Sequence, residues 1–381
     1  MIETKLCTKL SYRNAADTLN LIYHKTEEDV ISSRTLSDNA VRIGKDISRK
    51  FLNQTEEILK MHGFNPETGL VPEGISLSEN IVKTNSSDEK TIEHLKKIDD
   101  TIELINESRE EKVNLKSNEI RLESRDNCVY IAVDDIGVKR QKDLRKSDDY
   151  EKDSRFVENT VAHIQDGSVS YSITALGMRN LFKAVIAFLL VNNLMSKEIV
   201  FLTDGAKNIK NHITEMFSFH KYDIILDWYH LKKRCQEYLS MSIKSRGKNK
   251  DDKNQCLEKI LRYLWVGDVS SAVSYLENIS EEKIKDKNWI NALISYLERK
   301  REYIACYAVR AKLNYRNSSN SVEKANDILV ANRQKHNGMA WTPNGSSSLA
   351  SIEMIYHNHQ ENDWFYKHRI PMLIPTSVKC A

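Results

Sequence analysis

Three carboxylates in this chain stand where divalent-cation chemistry could use them. Asp134 closes a short apolar, β-branched run (Val129-Tyr130-Ile131-Ala132-Val133), Asp204 closes a later one, and Glu323 lies far downstream in a segment of helical character. Carboxylates bind Mg2+ through hard oxygen contacts, and two such ions roughly 3.5–4 Å apart can stabilise both the attacking and the leaving oxygen of an in-line displacement at phosphorus. Two aspartates packed together repel, raising one pKa unless a divalent cation neutralises them. Asp135 competes with Asp134 for the first position, because strand side chains alternate and only one of the two points to a given face. Asp134 is the favoured member and Asp135 the alternative. A further Asp-x-x-His, Asp227-Trp228-Tyr229-His230, either rims the same site or is a helix N-cap followed by a histidine at the core edge. No Ser, Tyr or Cys stands in a nucleophile motif, so a covalent intermediate is not expected.

The elements that must position these acids follow from periodicity. Residues 156–164 and 168–175 alternate as strands around Asp166-Gly167, 178–195 form an apolar helix, and 199–202 form a strand ending at Thr203-Asp204-Gly205. A helix over 206–217, a strand over 222–226 and a helix over 229–241 complete the order β-β-β-α-β-α-β-α. That order predicts an α/β fold with a ribonuclease-H-like mixed sheet, in which the first and fourth strands lie side by side. Residues 251–315 read as all helix, with Leu257, Ile260, Leu261 and Leu264 on one face and Ile290, Leu293, Ile294 and Leu297 on another. They form an all-α insertion in the sheet domain. Glu323 is expected on a helix over 322–333 capped by Ser321.

Upstream, Ser11 and Ser32-Ser33 are N-cap candidates for two short helices that would make a helix-turn-helix-like unit. The second carries Arg34, Arg42, Lys45, Arg49 and Lys50. The same pattern fits an amphipathic docking hairpin. Gly, Pro, Ser and Asn accumulate over 62–90 and mark a linker, and the interleaved charges of 91–113 look like a solvated or coiled-coil helix. The domain reading is therefore 1–61 helix-turn-helix-like, 62–127 linker and charged helix, 128–250 first part of the sheet domain, 251–315 insertion, and 316–381 completion of the sheet domain with C-terminal helices.

Bulk composition narrows the partners. Lys+Arg 57 against Asp+Glu 54 leaves +3, so a nucleic-acid surface must come from local clusters such as Lys232, Lys233 and Arg234, with Lys244, Arg246, Lys248 and Lys250 further on. The six cysteines are scattered without a C-x-x-C pair, which argues against a zinc ribbon or a secreted disulfide framework and for a cytoplasmic location. The N-terminus has no signal-peptide h-region, and the most apolar run, residues 184–191, is much shorter than the ~20 residues of a membrane span.

Four segments resemble the DDE transposases of bacterial insertion sequences, within the broad Mutator-like group. They are Val133-Asp134-Asp135-Ile136-Gly137-Val138, Thr203-Asp204-Gly205-Ala206, Asp227-Trp228-Tyr229-His230-Leu231, and Ser321-Val322-Glu323-Lys324-Ala325-Asn326 with Arg333, Lys335, Gly338-Met339 and Trp341. The resemblance spans about residues 128–365 and touches Ser11-Tyr12-Arg13-Asn14-Ala15-Ala16. It lacks the cysteine-rich zinc segment with which some relatives begin, and it has Asp135 where relatives often have Gly. The resemblance implies a metal-dependent enzyme with two Mg2+ (or Mn2+) ions held by Asp134, Asp204 and Glu323, with Asp135, Asp227 and His230 as alternative or supporting groups. It implies cleavage at transposon ends, strand transfer into target DNA, and a homo-oligomer pairing the ends in the nucleoid. Arg34, Arg42, Lys45, Lys232, Lys233, Arg234, Arg333 and Lys335 are the expected DNA contacts, and Trp341 is expected in the core. A non-cutting DNA-binding descendant and a cellular ribonuclease-H-like nuclease are the alternatives.

Overall fold

β-Branched and aromatic residues dominate five short segments, and in the computed structural model these pair into one sheet. The structure describes residues 1–26, 29–65, 68, 71, 73–78, 89–110, 112, 114–124, 127–142, 155–244, 251–335 and 339–374, the side chains of 89–91 and 118 excepted. Arg246, Lys248, Lys250 and Gly338 lie outside the described residues.

The strands are β1 (Cys128–Lys139), β2 (Phe156–Asp166), β3 (Val169–Ala175), β4 (Glu198–Thr203) and β5 (Tyr222–Leu226), in the order β3-β2-β1-β4-β5. β2 runs antiparallel to β1 and to β3, whereas β1, β4 and β5 are mutually parallel. This is the ribonuclease-H-like arrangement expected from the element order. The β2–β3 hairpin turns at Gly167, whose φ of +58° is cheap for a residue without a Cβ. Strands β4 and β5 run parallel to their neighbours and are reached through crossovers that need helices, α5 (Met178–Val191) and α6 (Lys207–Met216). Helix α5 is apolar on nearly every side and is accordingly buried, from Leu181 and Phe182 to Leu190. Each such side chain withdrawn from water contributes about 1.5–3 kcal/mol. No helix among the described residues is long and apolar enough to cross a membrane.

Strand β1 is longer than its apolar run. It continues through Asp134 and Asp135 to Lys139, so Asp134 does not close the strand. The cause is one-sided pairing: β1 follows β2 out to Lys139↔Phe156, while its parallel pairing with β4 stops at Ala132↔Leu202. Asp134 therefore lies just past the point where β1 and β4 part.

The N-terminal region contains α1 (Ile2–Lys9), α2 (Tyr12–Ile22) and α3 (Ser33–Met61). Ser11 and Ser32 cap the last two through Asn14 N and Thr35 N. Both sides of the Asn20 amide bond the Ile31 backbone, closing the turn between α2 and α3. The second helix is 29 residues long rather than short, and it buries Leu36, Ala40, Ile47, Phe51 and Ile58. Gly44 of α3 lies against the backbone of Ser348 in α14 (Pro343–His357), where an added Cβ would fall 2.2 Å from the Ser348 carbonyl oxygen. Cys7, Leu19, Leu36 and Phe51 share one continuous core with the sheet.

Helix α4 (Glu89–Glu107) is less solvated than its charges suggest. Ile98, Ile102 and Ile105 form a buried stripe against Val266, Cys306, Ala308 and Val309. The stretch between β5 and the Glu323 segment holds α7 (Trp228–Ser242), α8 (Asp252–Trp265), α9 (Val269–Glu277), α10 (Lys287–Lys300) and α11 (Tyr307–Lys312), so the expected helical block is present. Beyond it come α12 (Asn320–Asn326), a π-helical turn over Asp327–Ala331, α13 (Asn332–Gln334), α14 and α15 (Glu361–Lys367). The five described cysteines are buried and free.

Candidate active site

The three acids come from three different elements, β1, the turn after β4, and α12. Asp134 comes from the extended part of β1, and its Oδ1 accepts from the Asp135 N–H at 2.9 Å while Oδ2 accepts from Asn326 Nδ2 at 2.6 Å. Burial pushes its pKa from the usual 3.8 up to about 6, and the negative charges of Asp204 and Glu323 push the same way, against the Asp135 N–H and His230. Asp134 is thus within electrostatic reach of both partner acids. Asp135 is the more exposed of the pair, but its pKa too is pushed up to about 6, by burial first and then by Glu158, Asp134 and Asp204, against His212.

Asp204 follows β4 directly and begins a tight turn. Its Oδ1 accepts from Ala206 N at 2.7 Å, and Thr203 Oγ1 accepts from Gly205 N at 3.2 Å. Gly205 adopts φ +83°, and a Cβ there would come within 2.7 Å of Leu226 Cδ1. The positive φ favours glycine there, and any larger residue would also have to displace the Leu226 methyl. The turn is also held from the helical block, where Lys300 Nζ donates to the Gly205 carbonyl at 2.6 Å.

Glu323 sits on α12, which packs against β1 and β2. Its N-cap is Ser319 rather than Ser321, and the Ser319 side chain is engaged elsewhere. Ser319 donates through both N–H and Oγ to Asp227 Oδ2. Asp227 is fully buried and caps α7 by accepting the His230 N–H at 2.8 Å. Of the two readings of Asp-x-x-His, the aspartate is therefore the N-cap. The histidine does reach the site: His230 Nε2 lies 3.0 Å from Glu323 Oε1. One buried carboxylate thus fixes both the helix that bears His230 and the segment that delivers Glu323.

That segment is clamped from a second side. Arg310 donates to the Arg316 carbonyl at 2.8 Å and to Asn317 Oδ1 at 3.2 Å, and the Asn317 carbonyl accepts from Trp228 N at 3.0 Å. Arg310 is itself paired with Glu123, Nη1 to Oε2 at 2.7 Å and Nη2 to Oε1 at 2.6 Å, both side chains buried. Spacing alone pointed to none of Lys300, Glu123 or Arg310. Asn326 was the one with a visible signal, since it stands three residues after Glu323 and so on the same helix face.

The donor set fits a hard divalent cation in kind, carboxylate oxygens whose charges repel. Among the described residues, no three His, Cys, Asp or Glu side chains close into a group that could hold a metal by themselves.

Among the basic candidates, Lys232, Lys233 and Arg234 are exposed on α7. The two lysines line an open groove of about 610 Å³ with Tyr229, Gln236 and Met241, while Arg234 pairs with Glu237 at 3.2 Å. Arg34, Arg42 and Lys45 are exposed along α3, and Lys335 is exposed beyond α13. Arg333 is the exception. It is buried, its Nε donates to the Cys7 carbonyl at 2.8 Å, and its guanidinium lies 5.1 Å from the ring centroids of both Tyr12 and Trp341. A guanidinium enclosed in this way ties α1 to the core and is turned away from any phosphate at the surface. Trp341 is buried as expected, with its indole N–H on the Gln334 carbonyl at 2.9 Å.

No family model matches the chain, and no curated protein matches it. Among solved structures, the Drosophila P element transposase strand transfer complex aligns with 85% of this chain and 81% of that chain, at 10% identity and a TM-score of 0.23. A superposition that loose carries no weight for fold or function.

Proposed function

We propose that this chain is a DNA transposase of the bacterial insertion-sequence type, cutting at the ends of its element and joining them to target DNA. What supports the reading is that Asp134, just past the point where β1 and β4 part, feels the charges of both Asp204 and Glu323, in a chain whose four motif segments resemble those transposases. Mg2+ or Mn2+ bound there would neutralise the acids and stabilise charge on the attacking and leaving oxygens. Asp134 and Asp204 are the groups that would hold cations from the sheet, and Glu323 would hold them from α12. The Asn326 and Asp135 donors orient Asp134, the Gly205 turn orients Asp204, and His230, protonated on Nε2, would hold Glu323. Asp227 is a positioning residue for the last two. Lys232 and Lys233 on α7, Arg34, Arg42 and Lys45 on α3, and Lys335 would grip phosphates of duplex DNA. The ends would be paired by a homo-oligomer in the cytoplasmic nucleoid.

The test is a nicking assay, with Mg2+ or Mn2+, on a duplex carrying the terminal inverted repeats that this reading expects on either side of the gene. Nicking at the repeat ends is expected from the native chain, whereas Asp134→Asn, Asp204→Asn and Glu323→Gln should bind the duplex without cutting it. Binding without cutting by the native chain would identify a non-cutting descendant, and cutting without regard to the repeats would identify a general nuclease. Cleavage surviving in all three variants would sink the assigned chemistry.

A further inference from the structure

Asn326 is a neutral amide buried among charged groups, with only 4% of its surface exposed. Its Nδ2 donates to Asp134 Oδ2 at 2.6 Å, and its Oδ1 is buried with no hydrogen-bond partner. The orientation follows from chemistry, since the amide oxygen turned toward a carboxylate would set two acceptors against each other. A buried carbonyl without a partner is costly, and such atoms in native folds call for an explanation such as a bound ion. Here the orphan is one bond from the carbon that also bears Nδ2, so it lies beside the Asp134 carboxylate. Asn326 is three residues after Glu323 on α12, which puts both on one face, and a π-helical turn begins at the next residue.

We propose that Asn326 is an oxygen donor of the cation site, using Nδ2 to hold Asp134 in place and Oδ1 to take a divalent ion alongside the acids. Side-chain amide carbonyls are ordinary ligands of hard cations. The amide supplies an oxygen that a count of acids and histidines leaves out, and it does so without adding charge to a crowded mouth. Helix α12 then delivers two ligands, Glu323 and Asn326. This assignment rests on the metal-dependent reading given above.

Calorimetric titration of the 381-residue chain with Mn2+, without DNA, tests it, with a circular dichroism melt as the control for folding. The native chain should bind Mn2+, and Asn326→Ala should weaken binding about 10- to 100-fold. Asn326→Asp keeps an oxygen but cannot donate to Asp134, so it should stay within a few fold of the native affinity. A pure clamp predicts the opposite, with Asn326→Asp falling as far as Asn326→Ala, and that result would overturn the proposal. Unchanged binding by a folded Asn326→Ala would also overturn it while leaving the transposase reading intact. Failure of the native chain to take up Mn2+ would remove the metal-dependent reading itself. Where Asn326→Ala does not fold, Asn326→Asp against the native chain decides the matter.

Discussion

Glu123 just before β1 and Asp134 within it are both drawn out of water, but their surroundings differ in sign. Glu123 meets the Arg310 guanidinium with both oxygens and accepts the Tyr130 hydroxyl as well. Asp134 meets an amide and a backbone N–H, and the acids Asp204 and Glu323 lie within range of it. Among the described residues no lysine or arginine forms an ion pair with it. The fold can neutralise a buried acid when rigidity is needed, and it does so where Arg310 anchors the loop leading to Glu323. At the mouth of the sheet the negative charge is left unbalanced, at a cost to folding that an incoming cation would repay.

The contrast can be broken at either end. The largest effect should come from Asp204→Asn, which removes a charge that the reaction is proposed to need. Single-turnover cleavage should fall on the order of 10³-fold or more, the equivalent of several kcal/mol of lost charge stabilisation. Next comes Arg310→Met, which strands the Glu123 carboxylate in the interior. Chemical denaturation should show a loss of about 3–5 kcal/mol, and pairing the change with Glu123→Leu should recover most of it. At the mouth the sign reverses. Asp134→Asn in metal-free buffer near neutral pH should raise stability on the order of 1–3 kcal/mol. A carboxyl whose folded pKa is raised disfavours the fold in its charged form above that pKa, and the substitution removes the charge. Equal destabilisation by Arg310→Met and Asp134→Asn would dissolve the distinction between the two regions. The smallest effect concerns the rim: Lys232→Ala with Lys233→Ala should lower the slope of log K against log salt for duplex binding by about 2, since each phosphate contact contributes about 0.9.

Much of the sheet was legible because its periodicities are strong. The run 199–202 and the apolar helix that precedes it needed no tertiary information, and Asp204 duly follows β4. The extension of β1 past Asp134 was not legible, because a polar Asp-Asp pair ends the apolar run and only pairing with β2 carries the strand on. Arg333 reads as a surface cation from its charge alone. What buries it is the packing of Tyr12 and Trp341 on either side, two residues far apart in sequence. The same limit hid Glu123 and Arg310, whose partnership spans most of the sheet domain, and it hid the stripe Ile98, Ile102 and Ile105 within a helix of mixed charge. Asp227 shows a motif whose residues were found and whose roles were divided only by geometry: the aspartate braces, and the histidine faces the acids.

The contact of Gly44 with Ser348 bears on how force would travel through the protein. Two helices that meet with no room for a methyl group cannot slide or roll past each other without opening the core, so α3 and α14 move as one body with the sheet. Helices α1 to α3 are then joined to the core of the sheet rather than tethered to it. A duplex gripped along α3 would be presented at a set distance and angle from Asp134, and any bend required to bring its cleavage point to the acids would have to be made by the DNA.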